Sequence, residues 1–548
     1  MSAVGRVWRS YSYAEKRDIG IYIVGIMFYK LGLEFFNGSI TTLATDRFQA
    51  TSAFTKSVSS FRNVFRIQVA HSPFQPLVGA AQGLNQAAQC VGAILIAPLV
   101  KRWPTRTVLS AAIIMFSLMT AILLIVDVAT GGRFKDLETD KNRYGTWPPN
   151  LLFLIWTVSG ICYGMVELIR RVIPADIVGG HVDKLRRMDA TVHIFYEVAG
   201  TSGAFASSSA ISRWGNNKSF FLTPVFFGFA GATWLFISTL SFAREAAVNE
   251  EMEAAGLAGV DRSKRPSTNY LVMVGRGFRS FGESVWVGAR LIFTNRCFIW
   301  LIPSYAIALY LHRFLENTLA PAFARRVLEV SAWSQIIVGG SNFGELLGAL
   351  AVLLLSDHVP TPLPWLRFDA LALNIVWVLP AFARIATPNV SWAWKVAGCF
   401  IPISMGWAAG DVSLAAYIQS VLSDSAFHHE RVSALGAVMA FLYTTYIVLN
   451  AFLSVVLGHV IDNDLKANKN IVQSLKTVGG IHFTIACAIV LASTFVPKGA
   501  FSFNPKALGR ITTGGTPVHS DSEMGSMDGR KDDTEFKEGL PPLSKASA

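Results

Sequence analysis

The sequence predicts an all-α polytopic membrane protein with twelve transmembrane helices, arranged as two six-helix bundles related by pseudo-two-fold symmetry. Three observations predict it. Apolar stretches of about 20 residues, the length that crosses a bilayer, recur along the 548 residues. The composition is 52% hydrophobic against 15% charged, with a mean hydropathy of +0.42, unlike a water-soluble domain. Polar residues inside the apolar stretches also recur in matching order six stretches apart, as duplicated halves require.

Residues 1–18 contain no apolar core and no cleavage site, so they read as a cytosolic N-terminal tail rather than a removable signal. Spans are expected at 19–40, 77–100, 107–129, 150–173, 191–211 and 219–243, giving an N-terminal bundle over 19–243. Segment 244–296 breaks the rhythm with REAAVNEEMEAAGLAGVDRSKRPS. It then gives an amphipathic stretch, Tyr270 to Phe293, with Arg276, Arg279 and Arg290. Such a helix is expected along the cytosolic membrane face. Spans at 297–320, 333–356, 370–387, 395–419, 432–457 and 477–497 give a C-terminal bundle over 297–497. Residues 498–548 are rich in Gly, Ser, Asp and Lys and read as a disordered cytosolic tail. Lys and Arg concentrate in the segments that this topology leaves inside, which places both termini in the cytosol. The plasma membrane, rather than an internal one, is the expected location.

Several function classes fall away. The net charge of +12 is spread between the spans and not clustered, so lipid headgroups and topology explain it and nucleic acid is not an expected partner. The five cysteines sit in or beside apolar stretches without metal or disulfide spacing. His428 and His429 are adjacent on a loop and define no metal site. The chain has no Walker sequence and no catalytic signature. No enzyme activity, cofactor or metal is expected.

The charges inside the spans carry the functional argument. FYKLGLEFFNG, from Phe28 to Gly38, puts Lys30 and Glu34 four residues apart on one helix face; LYLHRFLENT in span 7 holds His312, Arg313 and Glu316. A charge at the bilayer centre costs about 2.5–3.5 kcal/mol on insertion scales, so such residues usually face a polar interior or a partner. By a rise of about 1.5 Å per residue, Lys30, Glu197 and Glu345 come out near the midplane. Glu34 lies nearer the outer side, the span 7 trio toward the outer edge if that helix is straight, and Asp411 in the cytosolic third. Glu197 and Glu345 are single carboxyls in apolar spans, and such carboxyls can carry a proton at neutral pH. Hydrogen bonding between helices is the competing role for them. Lys30 and Arg313 favour an anionic or carboxylate-bearing solute. Sequons at Asn37, Asn217 and Asn389 offer glycosylation sites, with Asn217 and Asn389 in outer segments and Asn37 too near the bilayer.

Span 4 and span 10 add an internal echo, Gly160, Gly164, Leu168 against Gly406, Gly410, Leu414. Over about residues 19–497 the chain resembles the major facilitator superfamily. That family's cytosolic motif G-x-x-x-D-R-x-G-R-R falls on APLVKRWPTR, from Ala97 to Arg106. Arg102 and Arg106 are kept, and Lys101 replaces the acid. The second-half counterpart, LLLSDHVPTP, keeps its acid as Asp357. Span 1 is similar to the sugar-porter pattern F-G-Y-D-x-G, with Tyr29 and Gly32 matching and Lys30 at the acid position. The resemblance implies two bundles rocking about a midplane site, with spans 5 and 8 facing each other. It also implies an inner gate of charge pairs among Arg102, Arg106, Arg187, Asp357, Glu430 and Arg431. The expected function is secondary active transport of a small organic solute, coupled to protons, by a monomer in the lipid bilayer. A polyspecific efflux carrier and a non-transporting sensor or scaffold remain open alternatives.

Overall fold

Each expected span coincides with a helix in the computed structural model, which describes residues 11–50, 75–100, 103–136, 141–178, 182–238, 270–355, 358–423, 434–468, 471–506 and 508. The helices of the first half are α1 (Tyr13–Ala50), α2 (Gln75–Val100), α3 (Thr105–Ala129), α4 (Leu151–Val178), α5 (Val182–Trp214) and α6 (Leu222–Trp234). The amphipathic stretch forms α7 (Tyr270–Thr294). The second half comprises α8 (Arg296–Arg326), α9 (Ser334–Leu355), α10 (Leu363–Ile385), α11 (Val390–Ser423), α12 (Ala434–Asn468) and α13 (Val472–Ser493). Seven of these helices are long and apolar enough to cross a membrane by length and composition, and Leu151–Glu167 and Ser219–Trp234 are shorter apolar helices.

Buried apolar side chains fall into two clusters, one drawn from Tyr11 to Ile237 and one from Leu291 to Ala500. In the first, aromatic residues join α1 to α6: Tyr22 stacks on Trp234 and Tyr29 lies against Phe227. The pairs α2–α4 and α9–α11 pack backbone to backbone in corresponding places of the two halves. At Gly164 an added Cβ would sit 2.0 Å from the Gln89 carbonyl oxygen, and at Gly344 2.3 Å from that of Ile401. Only a residue without a side chain permits such an approach. Gly344→Leu should therefore cost about 1–3 kcal/mol or more in overpacking and lower the thermal-unfolding midpoint in detergent. Gly398→Leu, at a position with nothing within 4 Å, should leave it unchanged.

Four features depart from the sequence reading. First, a short antiparallel strand pair, β1 (Arg133–Asp136) and β2 (Lys141–Arg143), lies between α3 and α4, the one sheet among the described residues, with Arg133 opposite Arg143. Second, the helical echo diverges: Gly160 and Gly164 pack on α2, whereas Gly406 and Gly410 pack on Asp369 and Leu366 of α10. Third, α10 begins at Leu363 rather than 370 and so takes Asp369 inside the bundle, fully buried. Fourth, the expected tail does not start at 498. The buried Arg367 guanidinium receives the chain there, donating to the carbonyls of Thr494, Ala500, Ser502 and Phe503. A buried cation that meets that many acceptors is satisfied without a carboxylate. The remainder of the expected tail, from 509 on, lies outside the described residues.

Candidate functional site

The site begins with the spacing on α1. Lys30 and Glu34 stand one helical turn apart and close an ion pair, Nζ to Oε1, at 2.9 Å. Glycines on α5 make room for it: an added Cβ at Gly200 would lie 2.4 Å from Lys30 Cε, and one at Gly203 would lie 3.1 Å from Glu34 Cβ. The Lys30 ammonium also sits 4.6 Å from the centre of the Tyr196 ring, within cation–π range. Next to Tyr196, Glu197 is 1% exposed, and one of its carboxylate oxygens has no hydrogen-bond partner among the described residues.

The second half supplies a parallel arrangement on α8. This helix is not uniform: π-helical turns at Ile302–Ile307 and Leu315–Leu319 flank a normal α-helical segment. Such widened turns concentrate at functional sites because they re-aim side chains. Arg313 pairs with Glu316 at 3.1 Å, and Glu316 accepts a hydrogen bond from Ser341 of α9, which in turn meets Ser404 of α11 at 2.6 Å. The Arg313 side chain is 45% exposed. Its electrostatic partners Glu316, Glu345, Tyr446 and Tyr163 come from α8, α9, α12 and α4, so the exposed face looks into the bundle interior.

Glu345 on α9 connects the two arrangements. It is half-buried, and the charges acting on it are Glu197, Glu316, Arg313 and Lys30. The interior thus holds two closed ion pairs, one from each half, and two carboxyls, Glu197 and Glu345, that have no ion pair among the described residues.

Not every expected residue joins this cluster. His312 turns into the second half, where its Nε2 meets Asp369 Oδ1 at 2.9 Å beside Trp407. His312 and Glu316 are expected toward the outer edge if α8 is straight, and two π-helical turns interrupt that helix. Arg313 stands within about two residues of the middle of α8, much as Lys30 does in α1. Asp411 is half-buried in α11. Arg106 caps α6, donating to the carbonyl of Ile237 at 2.5 Å, so it binds its own half and not the opposite one. Arg102, Asp357, Glu430 and Arg431, and the side chain of Arg187, lie outside the described residues. Asn389 is exposed. Asn217 is buried, and its amide nitrogen, where a glycan would attach, donates to Asp127 and to the carbonyls of Arg133 and Arg143. That geometry has no room for a glycan.

The structure adds polar residues that the sequence reading passed over. Gln82, Asn85, Gln86 and Gln89 form one stripe on α2. Gln82 donates to the Asn317 carbonyl, Gln86 donates to Tyr446 at 2.7 Å, and Asn450 donates to Gln86 at 2.9 Å. The halves therefore meet along two seams, α2 against α8 and α12, and α5 against α9. At the strand-pair end a third contact closes them: Asp46 of α1 lies 3.5 Å from Arg325 of α8 and accepts hydrogen bonds from Asn142, Tyr144 and Asn216.

Burial, the larger influence, raises the Asp46 pKa above the usual carboxylate value, and Arg325 and the three hydrogen bonds pull it part of the way back. A pKa higher than that of the hydrated group means the closed node binds the proton more tightly than an opened one. Its contribution to stability is complete below the hydrated pKa and declines as pH rises through the node's own pKa. Asp46→Asn should remove that decline. A variant that keeps the wild-type slope of unfolding midpoint between about pH 4 and pH 6 would contradict the assignment.

Among the described residues, no group of three or more His, Cys, Asp and Glu is placed to hold a metal. Comparison with known proteins agrees with this architecture. The Major Facilitator Superfamily pattern matches residues 68–447, more than two thirds of the chain. The xylose transporter XylE from E. coli, partially occluded and inward-open, superposes with a TM-score of 0.57 at 12% identity, covering 88% of this chain and 97% of its own. A D-xylose–proton symporter gives 0.56 at 12% identity over 89% and 97%. A variant of the nucleoside transporter NupG gives 0.55 at 12% over 87% and 99%. No curated protein sequence matches the chain. At such identity the likenesses carry the fold alone. The family match, the helical fold and the charged interior together make this chain an integral, multi-pass membrane protein of the Major Facilitator Superfamily, a family of transporters and not of enzymes.

Proposed function

We propose that the protein is a proton-coupled secondary transporter of a small organic solute bearing a carboxylate or similar anionic group. The observation that carries this reading is the charge arrangement of the interior. Lys30 and Arg313 are each held by a carboxylate of their own helix, and Glu197 and Glu345 close no ion pair among the described residues. Fully ionised, this set would carry more negative than positive charge away from water, which is costly, so protons belong to its resting state. A proton loaded on Glu197 or Glu345 passes to the carboxylate that holds Lys30 or Arg313 and frees that cation, which then receives the anionic group of the solute. Glu197 and Glu345 are thus the groups that load and release the transported protons. Proton and solute enter together, and the site stays near neutrality throughout. The xylose and nucleoside transporters that share the fold support a small polar solute. Lys30 makes a neutral sugar a poor match here.

In this reading the bundles 19–243 and 297–497 rock as units about the interior site. The strand-pair end faces outward, both termini are cytosolic, and the protein works as a monomer in the plasma membrane. Asp46 and Arg325 close the outer side. Arg102, Arg187, Asp357, Glu430 and Arg431 close the inner side. Untargeted comparison of metabolites in cells with and without the protein names the solute, and uptake into proteoliposomes after a pH jump tests the coupling. A rate indifferent to the proton gradient refutes the coupling. Accumulation of exclusively neutral or cationic solutes refutes the assigned class.

A further inference from the structure

The central helix α7 is built as more than a connector. Its inner side docks on both halves at once. Tyr270 donates to the Leu95 carbonyl at 3.0 Å, and Gly277 lies over Ile94, both on the last turns of α2. Gly288 packs on the Ala437 carbonyl, with an added Cβ only 2.0 Å away, and Phe293 lies edge-on to Phe441, both on the first turns of α12. The helix therefore straps α2 to α12, the two helices whose seam must part if the halves separate at this end.

The outer side of α7 carries charge. At about 100° per residue, Arg276, Arg279, Glu283 and Arg290 share a sector of about 60° opposite Gly277, Gly288 and the buried Ile292. Arg276 and Arg290 are exposed, and the Arg279 side chain is 81% exposed, pairing with Glu283 at 3.0 Å. One flank between these faces is apolar and also uncovered: Leu271 is 71% exposed, Trp286 72% and Phe293 61%. In water such a flank would be unfavourable. A Trp and apolar residues beside an arginine stripe fit the boundary between acyl chains and headgroups.

We propose that α7 is a binding site for anionic phospholipid headgroups, with Arg276, Arg279 and Arg290 on the phosphates and Leu271, Trp286 and Phe293 among the upper acyl chains. Because the same helix holds α2 and α12, headgroup charge in this leaflet sets how firmly the seam is strapped. An anionic surface strengthens binding about fivefold per nearby arginine. The Arg279–Glu283 pair offsets part of that.

The test is native mass spectrometry of the purified full-length protein titrated with phosphatidylglycerol or with phosphatidylcholine. With Arg279 offset by Glu283, phosphatidylglycerol should be retained about 25-fold better. Arg276→Gln, Arg279→Gln and Arg290→Gln together should bring the ratio close to one, and the three Arg→Lys changes should keep most of it. For the unmodified protein, raising salt from about 50 mM to about 500 mM should weaken phosphatidylglycerol retention selectively. Equal retention of the two lipids by the unmodified protein overturns the proposal, as does a preference that survives the triple Gln change.

Discussion

Replacing Glu197 or Glu345 with Gln should cut the accumulation ratio of the solute by about tenfold for each pH unit of gradient. The argument is thermodynamic. One proton moving down one pH unit supplies about 1.4 kcal/mol, which sustains a tenfold concentration ratio. Two carboxyls that each carry a proton sustain about 100-fold. Gln keeps the size and most of the hydrogen bonding of Glu but cannot ionise. Each single variant should then reach about tenfold, and the double variant should only equilibrate the solute. The check is steady-state accumulation in proteoliposomes at a fixed one-unit gradient. Full wild-type accumulation by Glu197→Gln/Glu345→Gln would remove these residues from the coupling.

Glu34→Ala should destabilise the folded protein by about 3–5 kcal/mol, because it leaves the Lys30 ammonium unpaired in the interior. Lys30 is 9% exposed, and its cation–π contact with Tyr196 offsets only part of the lost partner. Removing both charges behaves differently. In Lys30→Met/Glu34→Leu no buried charge is stranded, so stability should return to within about 1 kcal/mol of wild type. Transport should nevertheless fall, since Lys30, one of the two cations that receive the solute, is gone. Thermal unfolding and uptake, measured on the same preparations, separate the two effects. A double variant as unstable as Glu34→Ala would mean that the pair acts through packing and not through charge.

What the sequence disclosed and what it withheld follow one rule. A formal charge inside an apolar run is conspicuous, so Lys30, Glu34, Glu197, Arg313, Glu316 and Glu345 were visible from the letters alone. Neutral amides are not conspicuous, so the α2 stripe was passed over, although the spacing of Gln82, Asn85, Gln86 and Gln89 marks one helical face. Boundary placement hid two acids. Asp46 lies beyond the apolar part of α1, and Asp369 precedes the apolar part of α10, yet both helices extend past their hydrophobic stretches. The span 7 trio, His312, Arg313 and Glu316, sits on a helix that continues past its apolar run to Arg326. The partition of that trio depends on helix rotation. His312 turns to Asp369 and Arg313 to the interior, and spacing along one chain cannot specify which neighbour each face meets. The strap formed by α7 is tertiary in the same sense: its amphipathic period was legible, but its attachment to α2 and α12 was not.

The central claim is that protons move with the solute through the interior carboxyls. It is tested most directly with proteoliposomes that enclose a pH-sensitive dye and carry no imposed gradient. Adding the identified solute outside wild-type protein should acidify the lumen as the solute enters, and Glu197→Gln/Glu345→Gln should admit solute without acidification. Solute entry through the wild-type protein at constant luminal pH would contradict the account.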